Sequence, residues 1–368
     1  MYVYKNFNIK GVLSFSGSHI VYISVWATLV ASLYAFTKWE WFVIPWLPLS
    51  VIGTAVAFYV GFKNNSAYDR LWEARKIWGA IVNGSRSWGT NVKGYVGNQF
   101  LEDEQSEKEL SENYKRLIYR HIAWLYTLRG QLLVPTSWEH VSLSGHVGKM
   151  NQKRMKSWGK TMFDDEFVGK ELKEFLTNQE LDYLGKKKNL ATQIIDLQSQ
   201  DLKKLRAENL IDDFRHMELQ KLLNDFYTFQ GQAERIKKFP LPRQYGSVSF
   251  IFVGIFIFLL PLGMVSEFAK LGDFGVWASI PFTVLVGWIY VMMELVGDYS
   301  ENPFEGLGND VPMLSLCRTI EIDLREMLGE TNLPKGIEPK KWGFDVTFLI
   351  ILSSRKLLPK RFLFQTFS

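Results

Sequence analysis

Three residues in the stretch "SWEHVSLSGHVG" have side chains that could bind a metal: Glu139, His140 and His146. Carboxylate and imidazole groups are common metal ligands, but this spacing matches no common metal-binding motif. No other histidine pairs with a second histidine or with Cys317, the single cysteine, at a spacing typical of a metal site. We therefore interpret these residues as part of a surface loop, and we expect no metal and no cofactor.

The motifs of common enzyme classes are missing as well. The sequence contains no glycine-rich phosphate loop and no nucleophile elbow. His121 and His216 lie in helical segments and are interpreted as packed or capping residues. We predict that the protein is not an enzyme.

Basic clusters occur in the middle of the chain, at "GKKKN", "DLKKLR" and "RIKK". They alternate with acids and come without a recognition motif, so we do not expect nucleic-acid binding. They are interpreted as solvated helix faces or, alternatively, as the wall of a positive vestibule that concentrates anions.

A second set of residues has the spacing of a helix face within "VIGTAVAFYVGF". One hydroxyl and two phenyl rings recur every four residues, at Thr54, Phe58 and Phe62. Beside them runs a stripe of small residues, which lets membrane helices approach closely: Gly53, Ala57 and Gly61. We expect the small stripe to contact a neighbouring subunit and the rings to line a narrow passage.

Four apolar stretches are long enough to span a bilayer, which takes about 20 residues. They are His19–Phe36, Trp41–Phe62, Tyr245–Ser266 and Phe274–Met293. The chain is 47% hydrophobic yet 22% charged, so these stretches alternate with a polar remainder. The internal prolines Pro48, Pro261 and Pro281 do not exclude spanning, because membrane helices tolerate proline.

The basic residues predict the orientation. Of 43 lysines and arginines, only Lys38 and Lys270 lie in the two short connections between paired spans. The positive-inside rule therefore places both termini and the long middle segment in the cytoplasm. We divide the chain into an N-terminal segment with the first hairpin (1–62), a cytosolic helical domain (63–243), a second hairpin (244–297) and a C-terminal region with a tail (298–368).

The cytosolic residues predict helices. Leu110–Leu133 carries apolar residues at helical spacing, and a long helical region is predicted at about Asp182–Lys237. Strand signals are weak, which indicates an all-α protein.

Two longer motifs resemble a known family. "GFKNNSAYDRLWEARKIWG" is similar to the signature that follows the second span of bacterial bestrophins, and "ELVGDYSENPFEGLGNDVPMLSLCRTIEIDL" is similar to the family's second signature. The resemblance covers residues from about 15 to 330. The signature positions are Asn64, Asn65, Arg70, Glu73, Arg75, Trp78, Glu301, Asn302, Pro303, Phe304 and Asp310.

The resemblance implies an all-α integral membrane protein with four transmembrane helices per subunit. These helices would continue into a helical cytosolic domain, in a homopentamer around a central ion-conducting pore. Thr54, Phe58 and Phe62 would line its neck. Phe214 would ring a cytosolic aperture, with Ile211 as the next candidate. The resemblance also implies a bacterial inner membrane as the location, with both termini cytoplasmic.

The predicted permeant ions are monovalent anions such as chloride, and monovalent cations are the alternative. Phenyl rings with edges inward and the net charge of +5 favour chloride-like anions. The acids Glu294, Asp298 and Glu301 near the inner mouth favour the alternative, a sodium or potassium channel. A membrane scaffold or sensor that conducts nothing is the alternative of a different class.

Two further expectations concern the C-terminal quarter of the chain. Animal bestrophins hold calcium with consecutive acids, whereas Asp298, Glu301 and Glu305 are separated here, so we expect no calcium gating. The basic and aromatic tail 355–368 could lie on anionic lipid, pack on a neighbouring subunit or form a disordered end.

Overall fold

A computed structural model describes residues 9–144, 148–149, 151–152 and 172–337. Its helices are α1 (Ile9–Thr37), α2 (Trp46–Tyr95), α3 (Glu107–Leu133), α4 (Asn178–Leu184), α5 (Leu190–Ala207), α6 (Asp213–Lys238), α7 (Arg243–Ala269), α8 (Asp273–Asp298) and α9 (Met313–Met327). No strand occurs within the described ranges, and the predicted all-α class is confirmed. The tail 355–368 and His146 lie outside the described residues.

Four helices, α1, α2, α7 and α8, are long and apolar enough to cross a membrane. Helices α1, α7 and α8 each include one predicted span, and α2 includes the second span from Trp46 onward. Pro261 and Pro281 lie inside α7 and α8 without ending them. The predicted start of the second span at Trp41 is wrong, because α2 begins at Trp46. Pro45 precedes the helix in an extended conformation, and a residue before proline avoids helical angles.

Helix α2 is continuous over 50 residues, or about 75 Å at 1.5 Å per residue. It crosses the predicted boundary at residue 62 without a break. Its first part packs on α7 and α8, and the rest packs on α3, α6 and α9. One helix thus connects the membrane part with the rest of the chain, which we call the cytosolic part after its predicted orientation.

Each part has its own apolar core. In the membrane part, Leu49, Val56 and Val60 of α2 pack against Val253 and Phe256 of α7. The cytosolic core contains the large buried rings Trp78, Trp88, Trp124 and Phe226. His121 is packed among the last three of these, as predicted. Burial lowers the pKa of His121 to about 3, so its ring stays neutral.

Helix α3 confirms the prediction for Leu110–Leu133, and a reciprocal capping box between Ser106 and Glu109 sets its start. The predicted helical region Asp182–Lys237 is divided into α4, α5 and α6. Asn189 and Asp212 cap the N-termini of α5 and α6 with their side chains. These polar residues favour caps over helix interiors, which is why the region is interrupted.

Helix α6 runs antiparallel to α2. Arg70 donates to the carbonyl of Ile236 (2.5 Å), the ring of Phe226 lies against Gly84, and Arg215 donates to the carbonyl of Tyr95 (3.1 Å). The N-terminus of α6 therefore lies at the cytosolic end of α2.

Candidate functional site: the exposed face of α2 and the membrane–cytosol junction

One face of α2 is buried against the rest of the chain and the opposite face is exposed. The buried residues of the membrane part recur at three- and four-residue spacing, at Leu49, Gly53, Val56, Val60 and Lys63. The exposed face carries Val51, Thr54, Phe58 and Phe62. We call this second set and its continuation toward Tyr95 the exposed face of α2.

The three predicted neck residues lie together on the exposed face. Phe58 is 69% exposed and Phe62 is 55% exposed, and their rings are perpendicular (83°) with centroids 4.6 Å apart. The hydroxyl of Thr54 donates to the carbonyl of Ser50 (2.9 Å), so its hydrogen atom is engaged by the helix itself. The face therefore presents two large rings and no charge over this stretch.

The small-residue stripe divides between two surroundings. Gly53 is buried inside the subunit, where a Cβ would lie 2.9 Å from the ring of Phe256 and where Tyr290 donates to its carbonyl (3.0 Å). The expectation that Gly53 faces a neighbouring subunit is therefore wrong. Ala57 is half-buried, and a Cβ on the exposed Gly61 would meet nothing within 4 Å. Residues four apart drift by about 40° around a helix, so Gly53 and Gly61 point in different directions.

A buried ion pair lies behind the three predicted neck residues. Lys63, which follows Phe62, donates to Glu294 of α8 at 2.5 Å, and Ser249 of α7 donates to the other oxygen of the same carboxylate. The side chain of Lys63 is 1% exposed. The pair therefore joins three membrane helices, α2, α7 and α8, next to the cytosolic part.

A histidine bridges two carboxylates next to this ion pair. His140 has Nε2 at 2.9 Å from Asp298 and Nδ1 at 3.0 Å from Glu305, and its ring stacks on Tyr299 with centroids 4.2 Å apart. Carboxylates only accept hydrogen bonds, so both ring nitrogens carry a proton. Burial lowers the pKa of His140, but the bonds to Asp298 and Glu305 outweigh it and raise the pKa to about 10. The expectation that His140 lies on the surface is therefore wrong.

The residue before His140 forms a second buried pair. Glu139 accepts from Lys237 of α6, which also donates to the carbonyl of Phe304 (3.2 Å). The loop after α3 is thus connected to α6, to the end of α8 and to the segment after α8. No group of three or more metal-ligating side chains is arranged to hold an ion within the described ranges.

Phe214, the predicted aperture residue, is the second residue of α6. It is 82% exposed at the cytosolic end of α2, whereas the alternative, Ile211, is buried in the core. A shallow groove lined by Phe100, Arg206 and Phe214 lies at this end. Of the two predicted aperture residues, Phe214 is therefore the exposed one.

Residues 11–326 match the protein-family model described as Bacterial/Fungal Bestrophin protein. The chain belongs to the bacterial and fungal bestrophin family. The voltage-dependent anion channel-forming protein YneE of Escherichia coli K12 is 26% identical over 310 residues, which are 82% of this chain and 86% of that protein. A voltage-dependent anion channel-forming protein of Mesorhizobium japonicum is 25% identical over 297 residues, 81% of this chain and 79% of that protein.

Solved structures share the fold of this bestrophin. A crystal structure of a bacterial bestrophin homologue from Klebsiella pneumoniae superimposes with a TM-score of 0.66, at 20% identity, over 86% of this chain and 99% of that chain. A variant of the Klebsiella pneumoniae protein has the same TM-score at 19% identity, over 85% of this chain and 100% of that chain.

The first bestrophin signature holds α2 against α6 and α8. Asn64 donates to the carbonyl of Met293 (2.9 Å), Arg70 donates to the carbonyls of Ile236 and Phe239, and Glu73 accepts from Arg235 (2.7 Å). Trp78 is fully buried and Arg75 is half-buried, while Asn65 lies on the exposed face and donates to Asp69 (3.4 Å).

The second signature builds the turn after α8. The carboxylate of Asp310 accepts from the backbone of Phe304 (3.0 Å), Gly306 (2.8 Å) and Val311 (2.6 Å). Phe304 itself has a positive φ of 70°, which the surrounding bonds hold in place. Glu301, Asn302 and Pro303 are buried at this turn, and burial raises the pKa of Glu301, as does repulsion from Asp298.

Sequence reasoning missed the pairing of Lys63, Glu294, Glu139 and Lys237. One signal was present, because Lys63 and Glu294 each follow an apolar span directly and a charge at such a position needs a partner. No local pattern identifies which partner it takes.

Proposed function

We propose that this bestrophin is a homopentameric channel that conducts chloride-like anions across the bacterial inner membrane, with both termini in the cytoplasm. The observation that carries the proposal is the exposed face of α2, where Thr54, Phe58 and Phe62 form a charge-free surface that the subunit leaves uncovered. Five such faces around one axis would form a narrow neck. The names of the relatives, which are anion channel-forming proteins, support an anion as the permeant ion.

The phenyl rings supply a reason for anion preference. A ring carries a partial positive charge at its edge and a partial negative charge on its face. The ring planes of Phe58 and Phe62 are nearly perpendicular, so they intersect along one line. If that line points to a central axis, both rings turn an edge toward the axis. Each layer would then present ring edges to a passing ion.

The acids that favoured cations are engaged inside the subunit. Glu294 binds Lys63 and Ser249, and Asp298 binds His140. Glu301 is buried next to Arg243, with 3.8 Å between the nearest atoms. None of these three is on the exposed face of α2. Asp69, which is exposed on that face, is the observation that favours a cation channel instead.

Phe214 is proposed as a second constriction at the cytosolic end of the same passage. It is the exposed apolar residue at the N-terminus of α6, and α6 returns along α2 to the membrane. A channel with two constrictions can gate at one and select at the other.

The test is a reversal potential measured in planar bilayers under a salt gradient. The wild-type protein should reverse near the anion potential, and Phe58→Ile should move the reversal potential toward the cation value because ring edges are lost. Phe250→Ile is the matched control, since Phe250 is equally exposed but lies on α7. A wild-type protein that reverses at the cation potential overturns the anion assignment.

The same preparation distinguishes the scaffold alternative. A protein that stays monomeric in detergent and passes no current in bilayers would be a membrane scaffold or sensor rather than a channel.

A further inference from the structure

The exposed face of α2 continues below the neck to the end of the helix. Its residues recur at spacings of three or four: Asn65, Asp69, Trp72, Lys76, Gly79, Asn83, Ser87, Thr90 and Gly94. All of them are exposed. In the proposed channel this face would follow the passage from the neck toward Phe214, so its chemistry would determine what an ion meets there.

Lys76 has the same angular position on α2 as Phe58. It follows Phe58 by 18 residues, which is five turns of 3.6 residues. The two side chains therefore project from the same side of the helix, about 27 Å apart along its axis at 1.5 Å per residue. A side chain that faces the axis at Phe58 implies that Lys76 faces it as well.

The ammonium group of Lys76 has no ion pair or hydrogen bond among the residues that the structure describes. The acid one turn above, Glu73, binds Arg235 instead (2.7 Å). One turn below, Gly79 and Ala80 offer no polar side chain. Asp69, the other charged residue of the face, lies two turns above, or about 10 Å along the helix axis.

Other basic side chains of the cytosolic part of α2 are engaged. Arg86 binds Asp323 (2.8 Å), Arg70 donates to backbone carbonyls, and Lys93 donates to the carbonyl of Met327. Lys76 is thus a cation that the subunit leaves unneutralised on the face proposed to line the passage.

We propose that Lys76 is a specificity-determining residue, and that five copies form a ring of ammonium groups that concentrates small inorganic anions on the cytosolic side of the neck. The inference rests on the proposed pentameric channel. A ring of like charge between low-dielectric walls raises the local concentration of counter-ions by roughly tenfold or more. Because the Debye length is about 8 Å at physiological ionic strength, the enrichment of anions is limited to the part of the passage within about 8 Å of Lys76. The ammonium group of lysine is a strongly hydrated point charge, and unlike the guanidinium group of arginine it does not bind an anion through two parallel hydrogen bonds. An anion attracted to the ring can therefore leave it again.

The first test measures anion enrichment without any ionic current. Gly79→Cys places a thiol one turn below Lys76, where a Cβ meets nothing within 4 Å. The native Cys317 is buried. Mass spectrometry of the purified protein gives the rates of modification by an anionic and by a cationic methanethiosulfonate. The anionic-to-cationic rate ratio should fall roughly tenfold when Lys76→Gln is added.

The control is Lys203→Gln, because Lys203 is an exposed lysine of α5 with no salt bridge within the described residues. This substitution should leave the rate ratio unchanged. A ratio that does not respond to Lys76→Gln, or that responds equally to Lys203→Gln, overturns the inference.

The second test uses bilayer recording with the native Gly79. Lys76→Glu should reduce conductance at low salt by several-fold and move the reversal potential toward cations, with little effect in molar salt because screening removes the field. An anion-selective protein whose conductance and selectivity ignore Lys76→Glu refutes the role of Lys76 and leaves the channel function intact. A protein that conducts cations, but whose thiol ratio depends on Lys76, refutes the anion assignment of the channel and supports the anion-concentrating ring.

Discussion

Removing the carboxylate of Glu294 should destabilise this bestrophin strongly, because it leaves the ammonium group of Lys63 buried without a counter-charge. The two groups are 2.5 Å apart, and the Lys63 side chain is 1% exposed. Water therefore cannot replace the lost partner. Ser249 loses its acceptor in the same change.

The magnitude follows from burial. Breaking a buried ion pair on one side costs about 3–5 kcal/mol, whereas replacing both partners by apolar groups of similar volume is often neutral. Glu294→Leu and Lys63→Met should therefore each cost about 3 kcal/mol or more, while the double variant should lie within about 1 kcal/mol of wild type. The coupling energy of the cycle is the cost of the double variant minus the costs of the two single variants, so its magnitude would be at least about 5 kcal/mol, far above the roughly 0.5 kcal/mol that independent sites show.

The assay is unfolding in mixed detergent, followed by tryptophan fluorescence. The control is an exposed ion pair between Glu267 of α7 and Lys270, which directly follows α7; the two charged groups are 2.6 Å apart. Removing either partner of this pair should cost about 1 kcal/mol or less. A Glu294→Leu variant that unfolds like the Lys270 control would refute the reasoning, since Lys63 would then be solvated or otherwise paired.

Three other predictions concern pH, assembly and permeation. His140 has a pKa near 10 when folded and about 6.5 when unfolded, so its stabilisation is complete below about pH 6.5 and is lost as pH rises toward 10. The melting temperature of His140→Gln should therefore fall less than that of wild type over this range, and equal slopes would contradict it. Gly61→Leu should reduce the fraction of oligomer measured by native mass spectrometry, whereas Gly53→Leu should lower the stability of the subunit through its clash with Phe256. Identical effects of the two variants would show that both glycines face the same partner. Phe214→Ala should change relative permeability among anions of different size without changing assembly, and unchanged permeability ratios would move the aperture elsewhere.

Local patterns were sufficient for the parts of the fold that depend on nearby residues. Hydrophobic length predicted four membrane helices, and the continuation of α2 beyond residue 62 was implied by the family resemblance. The shared face of Thr54, Phe58 and Phe62 also follows from helix geometry alone, because residues four apart are neighbours on any α-helix. The family resemblance rested on short motifs and was confirmed over residues 11–326.

The tertiary structure decided which residues are buried and paired. The partners of His140 are 158 and 165 positions away, and Glu294 lies 231 positions from Lys63. Such distances leave no periodic trace in the sequence, so His140 was assigned to the surface. Gly53 and Gly61 look equivalent by spacing, but each four-residue step rotates by about 40°, so Gly53 faces Phe256 inside the subunit while Gly61 is exposed. Sequence periodicity determines which side chains share a helix face, whereas only the packing of distant segments determines what that face meets.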